Sequence, residues 1–335
     1  MEELSHPDSL WTWKSNSRAR KASIWVPYFE KVTKMKGTTY EFHFNGGPLT
    51  LDLKEVDCLF FYGATGDLPL DFLDVLNQRG ISLLIHRRNQ GAPYVFHPSN
   101  TTDRADVLSA QIAYRCDLRR RVYIARSLII ARFRSFGKLM TVPDARYKAL
   151  KTARTLERIR AIEAEQTKAY WGRYYEALGL SGLPRREDHA VNRALDACSF
   201  FMYGIALRWV LFHRLSPAHG FLHEPSEYQS LVYDLMEPYR YIFEEAVAET
   251  WRKSGDESTL INRSLELLKD VLRADVTLTA MHSVASRKAL LHGVVLALRA
   301  YLLNEMPRFV VPIAGARKGG RPVKLNYRVP GARDW

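Results

Sequence analysis

The sequence predicts an α+β, multidomain chain: a small N-terminal β-sheet domain carrying one helix, followed by a larger all-α helical domain. Three observations predict it. Up to about residue 101 the apolar residues alternate, or run in short blocks between turn residues, as strands do. From about residue 102 they recur at helical spacing over long stretches. The chain has 335 residues of which 47% are hydrophobic, enough for two ordinary cores and too apolar for global disorder.

The elements follow in order. Residues 38–45 alternate and carry aromatic side chains, and Asn45-Gly46-Gly47-Pro48 is a turn signal. Residues 49–63 supply Leu49, Leu51, Leu53 and Val56 to a second strand region. A short helix is expected over 69–79, ended at Gly80, then a buried strand over 81–85, a turn over 89–93 and a strand over 94–97. Residues 1–37 form an N-terminal extension that resists assignment, although Trp11, Trp13, Trp25, Tyr28 and Phe29 argue that part of it packs. Helices are expected over 105–136, 145–178 (after a break at Pro143), 190–215, 230–253, 259–274 and 284–303. Residues 312–335 form a basic Gly/Pro-containing tail with no period, read as extended. The expected divisions are therefore 1–37, a β-rich domain over 38–101, a helical domain over 102–311 and the tail over 312–335.

The formal charge is +13, from 49 Lys+Arg against 36 Asp+Glu, which points to a polyanionic partner. Cys58, Cys116 and Cys198 form no CxxC pair, so neither a disulfide framework nor a cysteine zinc site is expected, and a reducing cytoplasm fits. The first 20 residues lack the apolar stretch of a signal peptide. No apolar run reaches the ~18 residues of a membrane span. The strongest candidate, 289–303, is interrupted by His292 and Arg299.

One constellation carries chemistry. Asp234 and Glu237 stand at i and i+3 of an expected helix, so both carboxylates should project from one face. His223 precedes that helix on a short loop that can fold back over the acids. Carboxylates so close need a compensating cation, and Arg240 or a divalent metal ion are the two candidates. Histidine with carboxylates suits Mg²⁺ or Mn²⁺ with open positions, which can polarise a phosphodiester.

Residues Gly220-Phe-Leu-His223 followed by Ser230-Leu-Val-Tyr-Asp234-Leu-Met-Glu237-Pro-Tyr-Arg240 resemble the signature of the CRISPR-associated protein one family, the spacer-acquisition integrases. Ile162-Glu163 with Tyr170-Trp171, Asn192-Arg-Ala-Leu195, and the stretch 51–88 are similar to three further family segments, in the same order. There are departures: Ser199 stands where the family often has tyrosine, and Arg214-Leu-Ser-Pro217 replaces a usual Gly-Leu-Asp-Pro. The resemblance implies Glu163, His223 and Glu237 as metal ligands and Asp234 as a neighbouring acid needed for activity. It implies a metal-dependent endonuclease or integrase that inserts short captured duplex DNA into a CRISPR repeat by 3′-hydroxyl attack. It also implies a homodimer formed through the β domain and bridged by CRISPR-associated protein two. A transposon-encoded integrase of the same fold and a catalytically silent DNA-binding scaffold are the alternatives.

Basic residues recur along the first two helical stretches. Arg115, Arg119 and Arg126, then Lys148, Lys151 and Arg154, form stripes that could follow a phosphate backbone; Arg240 and the tail residues Arg317, Lys318 and Arg321 complete the candidate DNA contacts.

Overall fold

The computed structural model describes residues 11–14, 22–44, 47–87, 94–98, 106–136, 139–224, 229–315 and 322–334. The chain divides into two compact units, 1–104 and 105–335. The architecture is a small β unit followed by a mostly helical one, as the periodicities predict.

The first unit holds two sheets. β1 (Trp11–Lys14), β2 (Ala22–Pro27), β6 (Val56–Tyr62), β7 (Ser82–His86) and β8 (Tyr94–Phe96) form a five-stranded sheet in that spatial order. Its central β2–β6 and β6–β7 pairs are parallel and its outer pairs antiparallel. β3 (Phe29–Lys34), β4 (Thr39–Phe44) and β5 (Gly47–Asp52) form a separate antiparallel sheet. α1 (Leu70–Arg79) is ended by Gly80 at φ 69°, where a residue without Cβ is favoured. The core collects Phe29, Phe42, Phe61 and Phe72, with Phe29 stacked on Phe61 at 4.1 Å. Residues 1–37 thus contribute three strands, which the sequence left unassigned. Of the turn expected over 45–48, residues 45 and 46 lie outside the described residues and Gly47 and Pro48 open β5; the turn expected over 89–93 lies wholly outside them.

In the second unit the long expected helices are broken by caps. The stretch 105–136 becomes α2 (Val107–Cys116) and α3 (Leu118–Ser135), because the Asp117 carboxylate accepts from the N–H groups of Arg119 and Arg120 and opens a new helix. The stretch 145–178 becomes α4 (Asp144–Thr152) and α5 (Leu156–Glu176), with Thr155 as the cap of α5. α6 (Ala190–Phe212) follows; then α7 (Ser230–Met236), a 3₁₀ turn Glu237–Tyr239 that carries Pro238, and α8 (Tyr241–Ser254) replace the single helix expected over 230–253. α9 (Leu260–Arg273) leads to β9 (Asp275–Leu278) and β10 (Ser283–Ser286), which the sequence reading missed, and then to α10 (Arg287–Leu302). β11 (Arg333–Asp334) pairs with β10, and Val329 is buried, so the described part of the tail packs back on this unit.

α6 is the central helix, packed against α7, α8, α9 and α10. It, and not 289–303, is the helix among the described residues long and apolar enough to cross a membrane. Its apolar surface is explained by burial on several sides, since 15 of its residues are buried. No disulfide links Cys58, Cys116 and Cys198.

Candidate active site

The site begins with a loop gripped from two sides. Asp234, on α7, is fully buried. Its Oδ2 accepts from the backbone N–H groups of Phe221 (2.6 Å) and Leu222 (2.8 Å). Its Oδ1 accepts from the N–H of His223 (3.2 Å) and pairs with His223 Nδ1 at 2.6 Å. Gly220 is required at the head of this loop: a Cβ there would lie 2.6 Å from Asp234 Oδ2 and 2.9 Å from Ser230 Oγ. The carbonyls of the same loop are taken by three arginines. Arg115 donates to Gly220 O (2.9 Å), Arg121 to Phe221 O (3.0 Å) and Arg160 to Leu222 O (2.6 Å). The same three guanidiniums converge on Glu224. Burial works against the charge of Glu224, and the guanidiniums of Arg121, Arg160 and Arg115 outweigh it, so its carboxyl titrates below the usual range. A loop whose N–H and C=O groups are both bound to charges holds His223 in one place.

Above this loop two further carboxylates meet. Glu163, from α5, and Glu237, at the start of the 3₁₀ turn, both contact Nη1 of Arg132, which α3 buries to 3% exposure. The Glu163 Oε1 contact is 2.7 Å, and the Thr167 hydroxyl donates to the same oxygen at 2.7 Å. Glu237 Oε1 also lies 3.5 Å from Arg240 Nη1. Arg240 is shared with Glu244 on α8, which accepts from the Tyr170 hydroxyl at 2.6 Å. Burial alone would raise the pKa of Glu237; Arg132, Arg240 and His223 outweigh it and hold the carboxyl ionised below its usual range. For His223, burial opposes charging, but the bond to Asp234 and the negative charges of Asp234, Glu237 and Glu163 raise the imidazole above its usual value.

The four acid and histidine residues singled out in the sequence fall into two pairings, His223 with Asp234 and Glu163 with Glu237 across Arg132. Asp234 is spent on the loop and on the His223 ring. Glu163 and Glu237 share one cation position, and His223 lies near enough for the charges of both to act on its ring. That position is held by the Arg132 guanidinium, and among the described residues no group of three or more His, Cys, Asp or Glu is drawn together as a metal cage. The donor chemistry nonetheless fits a divalent ion: two carboxylates plus an imidazole whose other nitrogen is fixed by a carboxylate, the usual outer partner of a ligating histidine. Glu237 Oε2 fits it as well, being buried and touching Arg132 without making a hydrogen bond of normal geometry.

Arg132, Arg121, Arg160, Glu224 and Glu244 were not singled out from sequence. Arg132 had a signal: it falls at helical spacing on the stripe of Val122, Ala125, Ile129 and Phe136, where an arginine has no reason to be unless it meets acids. Among the proposed DNA contacts, Arg115 and Arg240 have the internal partners above, and Arg126 donates to the carbonyls of Lys151 and Ala153. Arg119, Lys148, Lys151 and Arg154 are exposed. Arg317, Lys318 and Arg321 lie outside the described residues.

A β unit followed by a helical unit is a fold that this chain shares with other solved structures. The structure superposes on a casposase bound to its integration product with a TM-score of 0.73 at 18% identity, covering 86% of this chain and 92% of that one. It superposes on a Cas1 protein from Thermotoga maritima with a TM-score of 0.68 at 16% identity, covering 88% of this chain and all of the other. In sequence, residues 26–260 match the family model described as CRISPR associated protein Cas1. The CRISPR-associated endonuclease Cas1 of Pyrococcus horikoshii is 24% identical over 238 residues, 67% of this chain and 73% of that protein. The chain belongs to the Cas1 family.

Proposed function

We propose that this Cas1-family protein is a metal-dependent DNA integrase that joins the 3′-hydroxyl of a short captured duplex to a phosphodiester at the edge of a CRISPR repeat. One observation carries the reading: Glu163 and Glu237 converge on a single cation position beside an imidazole whose tautomer and orientation are set by Asp234. An Mg²⁺ or Mn²⁺ ion held by Glu163, His223 and Glu237 would polarise the scissile phosphate and lower the pKa of the attacking hydroxyl. The chain's own contribution is positional. Asp234 and the Arg115–Arg121–Arg160 clamp immobilise the loop that bears His223, and preorganised groups need no rearrangement when charge develops. The exposed Arg119, Lys148, Lys151 and Arg154 supply positive charge for DNA phosphates.

Solved relatives of this fold include a Cas1–DNA complex and a Cas6-RT-Cas1–Cas2 complex, at TM-scores of 0.58 and 0.71. We place this chain in the same kind of assembly: a homodimer on duplex DNA, bridged by the second CRISPR-associated protein, in a prokaryotic cytoplasm. Exposed Met35, Leu70 and Tyr94 make the β unit the proposed dimer surface. The casposase match favours a second reading, a transposon-encoded integrase, which genome neighbourhood separates from the first.

The test is integration of a short duplex into a repeat-bearing plasmid by the purified chain. Glu163→Gln, His223→Ala and Glu237→Gln should each fold and bind DNA, yet lose strand transfer by about 10²-fold or more. Full activity of His223→Ala under Mn²⁺ would overturn the assignment.

A further inference from the structure

We infer that Arg132 is the resident cation of this site: it occupies the position shared by Glu163 and Glu237 when no metal is bound, and a divalent ion must displace it to load. The inference rests on the metal reading above and goes beyond it in naming a residue that sets how readily the ion binds.

The argument starts from electrostatics. Glu237 is 4% exposed and Glu163 only partly exposed, and both direct a carboxylate oxygen at one point. Two such charges facing each other in a low-dielectric interior are costly unless a proton or a positive group lies between them. Arg132 is that group, with Nη1 in contact with both oxygens. It is not a surface residue that has wandered in. It lies on the apolar stripe of α3, is 3% exposed, and its guanidinium sits 5.6 Å from the Phe136 ring. In the absence of a metal its charge is therefore placed against these acids.

The same geometry excludes simultaneous binding of a metal at that point. A divalent ion takes carboxylate oxygens at about 2.0–2.1 Å, well inside a hydrogen-bonded nitrogen. Arg132 Nη1 already contacts Glu163 Oε1 and Glu237 Oε2, so an ion that took these carboxylates would compete with the guanidinium for them. Two buried atoms show that its present fit is incomplete. Arg132 Nε and Glu237 Oε2 each lack a hydrogen bond of normal geometry. An ion pair that leaves polar atoms of both partners unsatisfied is strong enough to hold the apo fold and poor enough to be exchanged. Arg240 stays outside the exchange, since it contacts the other oxygen of Glu237 and Glu244.

The experiment is a titration of the full-length, chelator-stripped protein with Mn²⁺ in the absence of DNA. The loss of the free Mn²⁺ electron paramagnetic resonance signal is followed, and thermal unfolding is measured with and without the metal. Wild type, Arg132→Gln and Arg132→Lys are compared, with Glu163→Gln as the ligand control. Arg132→Gln should bind Mn²⁺ at least about tenfold more tightly than wild type. It should also melt lower without metal and show a larger metal-induced rise. Arg132→Lys, which keeps the charge but loses the planar fork, should shift in the same direction by less, and serves if the glutamine variant does not fold. Equal or weaker Mn²⁺ binding by the folded arginine variants, with normal binding by wild type, would overturn the inference and leave the metal reading intact. Absence of Mn²⁺ binding in wild type and variants alike would overturn the metal reading itself, and binding undiminished in Glu163→Gln would place the ion elsewhere.

Discussion

Replacing Asp234 with asparagine separates a scaffold from a ligand. The substitution preserves shape and removes one charge. In the wild type each carboxylate oxygen takes two donors: Oδ2 the N–H groups of Phe221 and Leu222, Oδ1 the N–H and Nδ1 of His223. An asparagine amide can accept at only one of those positions. Its NH₂ group must face donors at the other, so one or two hydrogen bonds are lost and the survivors fall from charge-assisted to neutral. Hydrogen bonds to a charged group contribute about 1.5–3 kcal/mol each and neutral ones about 0.5–1.5. The local cost is then roughly 5 kcal/mol or more. At about 1.4 kcal/mol per factor of ten, the amides of residues 221–223 should exchange with deuterium at least about 10³ times faster than in wild type. Peptide-resolved hydrogen exchange reads this directly, and strand transfer should fall in step as His223 loses its fixed position. Wild-type exchange rates at 221–223 together with lost activity would refute the scaffold argument and make Asp234 a direct ligand.

Two further outcomes follow from features away from that loop. His292 on α10 stacks on Trp209 at 3.6 Å and meets His213, Nε2 to Nε2, at 2.8 Å; burial first, then the charges of His213 and Arg208, hold its pKa well below the usual histidine value. Its folded-state pKa lies below its unfolded one, so the unfolded chain takes the proton first as pH falls and stability is lost below about pH 6.5. Urea unfolding at pH 7.5, 6.5 and 5.5 should show wild type losing up to about 1.4 kcal/mol per pH unit more than His292→Gln below that point, and parallel profiles would contradict it. For DNA, the triple change Lys148→Ala, Lys151→Ala and Arg154→Ala removes exposed charges, and should lower the slope of log affinity against log salt by about 2–3; an unchanged slope would show that this face does not meet the phosphates.

What the sequence disclosed depended on whether a local pattern or a distant partner did the work. The division into a β unit and a helical unit was legible because periods of 2 and 3.6 differ over any long window. The breaks inside the helical stretches were harder. Asp117 and Thr155 interrupt no apolar period, yet each side chain accepts backbone N–H groups and starts a new helix. β9 and β10 span four residues each, too few to show alternation beside a strong helix. The tryptophans of the first 37 residues marked packing, but no local signal says that β2 pairs in parallel with β6, about 34 residues later.

The site shows the same limit more sharply. The i, i+3 spacing of Asp234 and Glu237 suggested one face and one task. Helix α7 ends at Met236, and the two carboxylates part: Asp234 turns to the loop and Glu237 to the arginines. Spacing also gave no hint that the cationic stripe of α2 to α5 would divide. Arg115, Arg121 and Arg160 are consumed by three consecutive carbonyls and by Glu224, and Arg132 by two buried acids, while only the outward positions keep their charge for a ligand. A net charge of +13 therefore overstates the basic surface left for a polyanionic ligand. Arg132 is spent inside the fold for the same reason, because two glutamates from separate elements can face one point at low cost only if their like charges are neutralised where they meet.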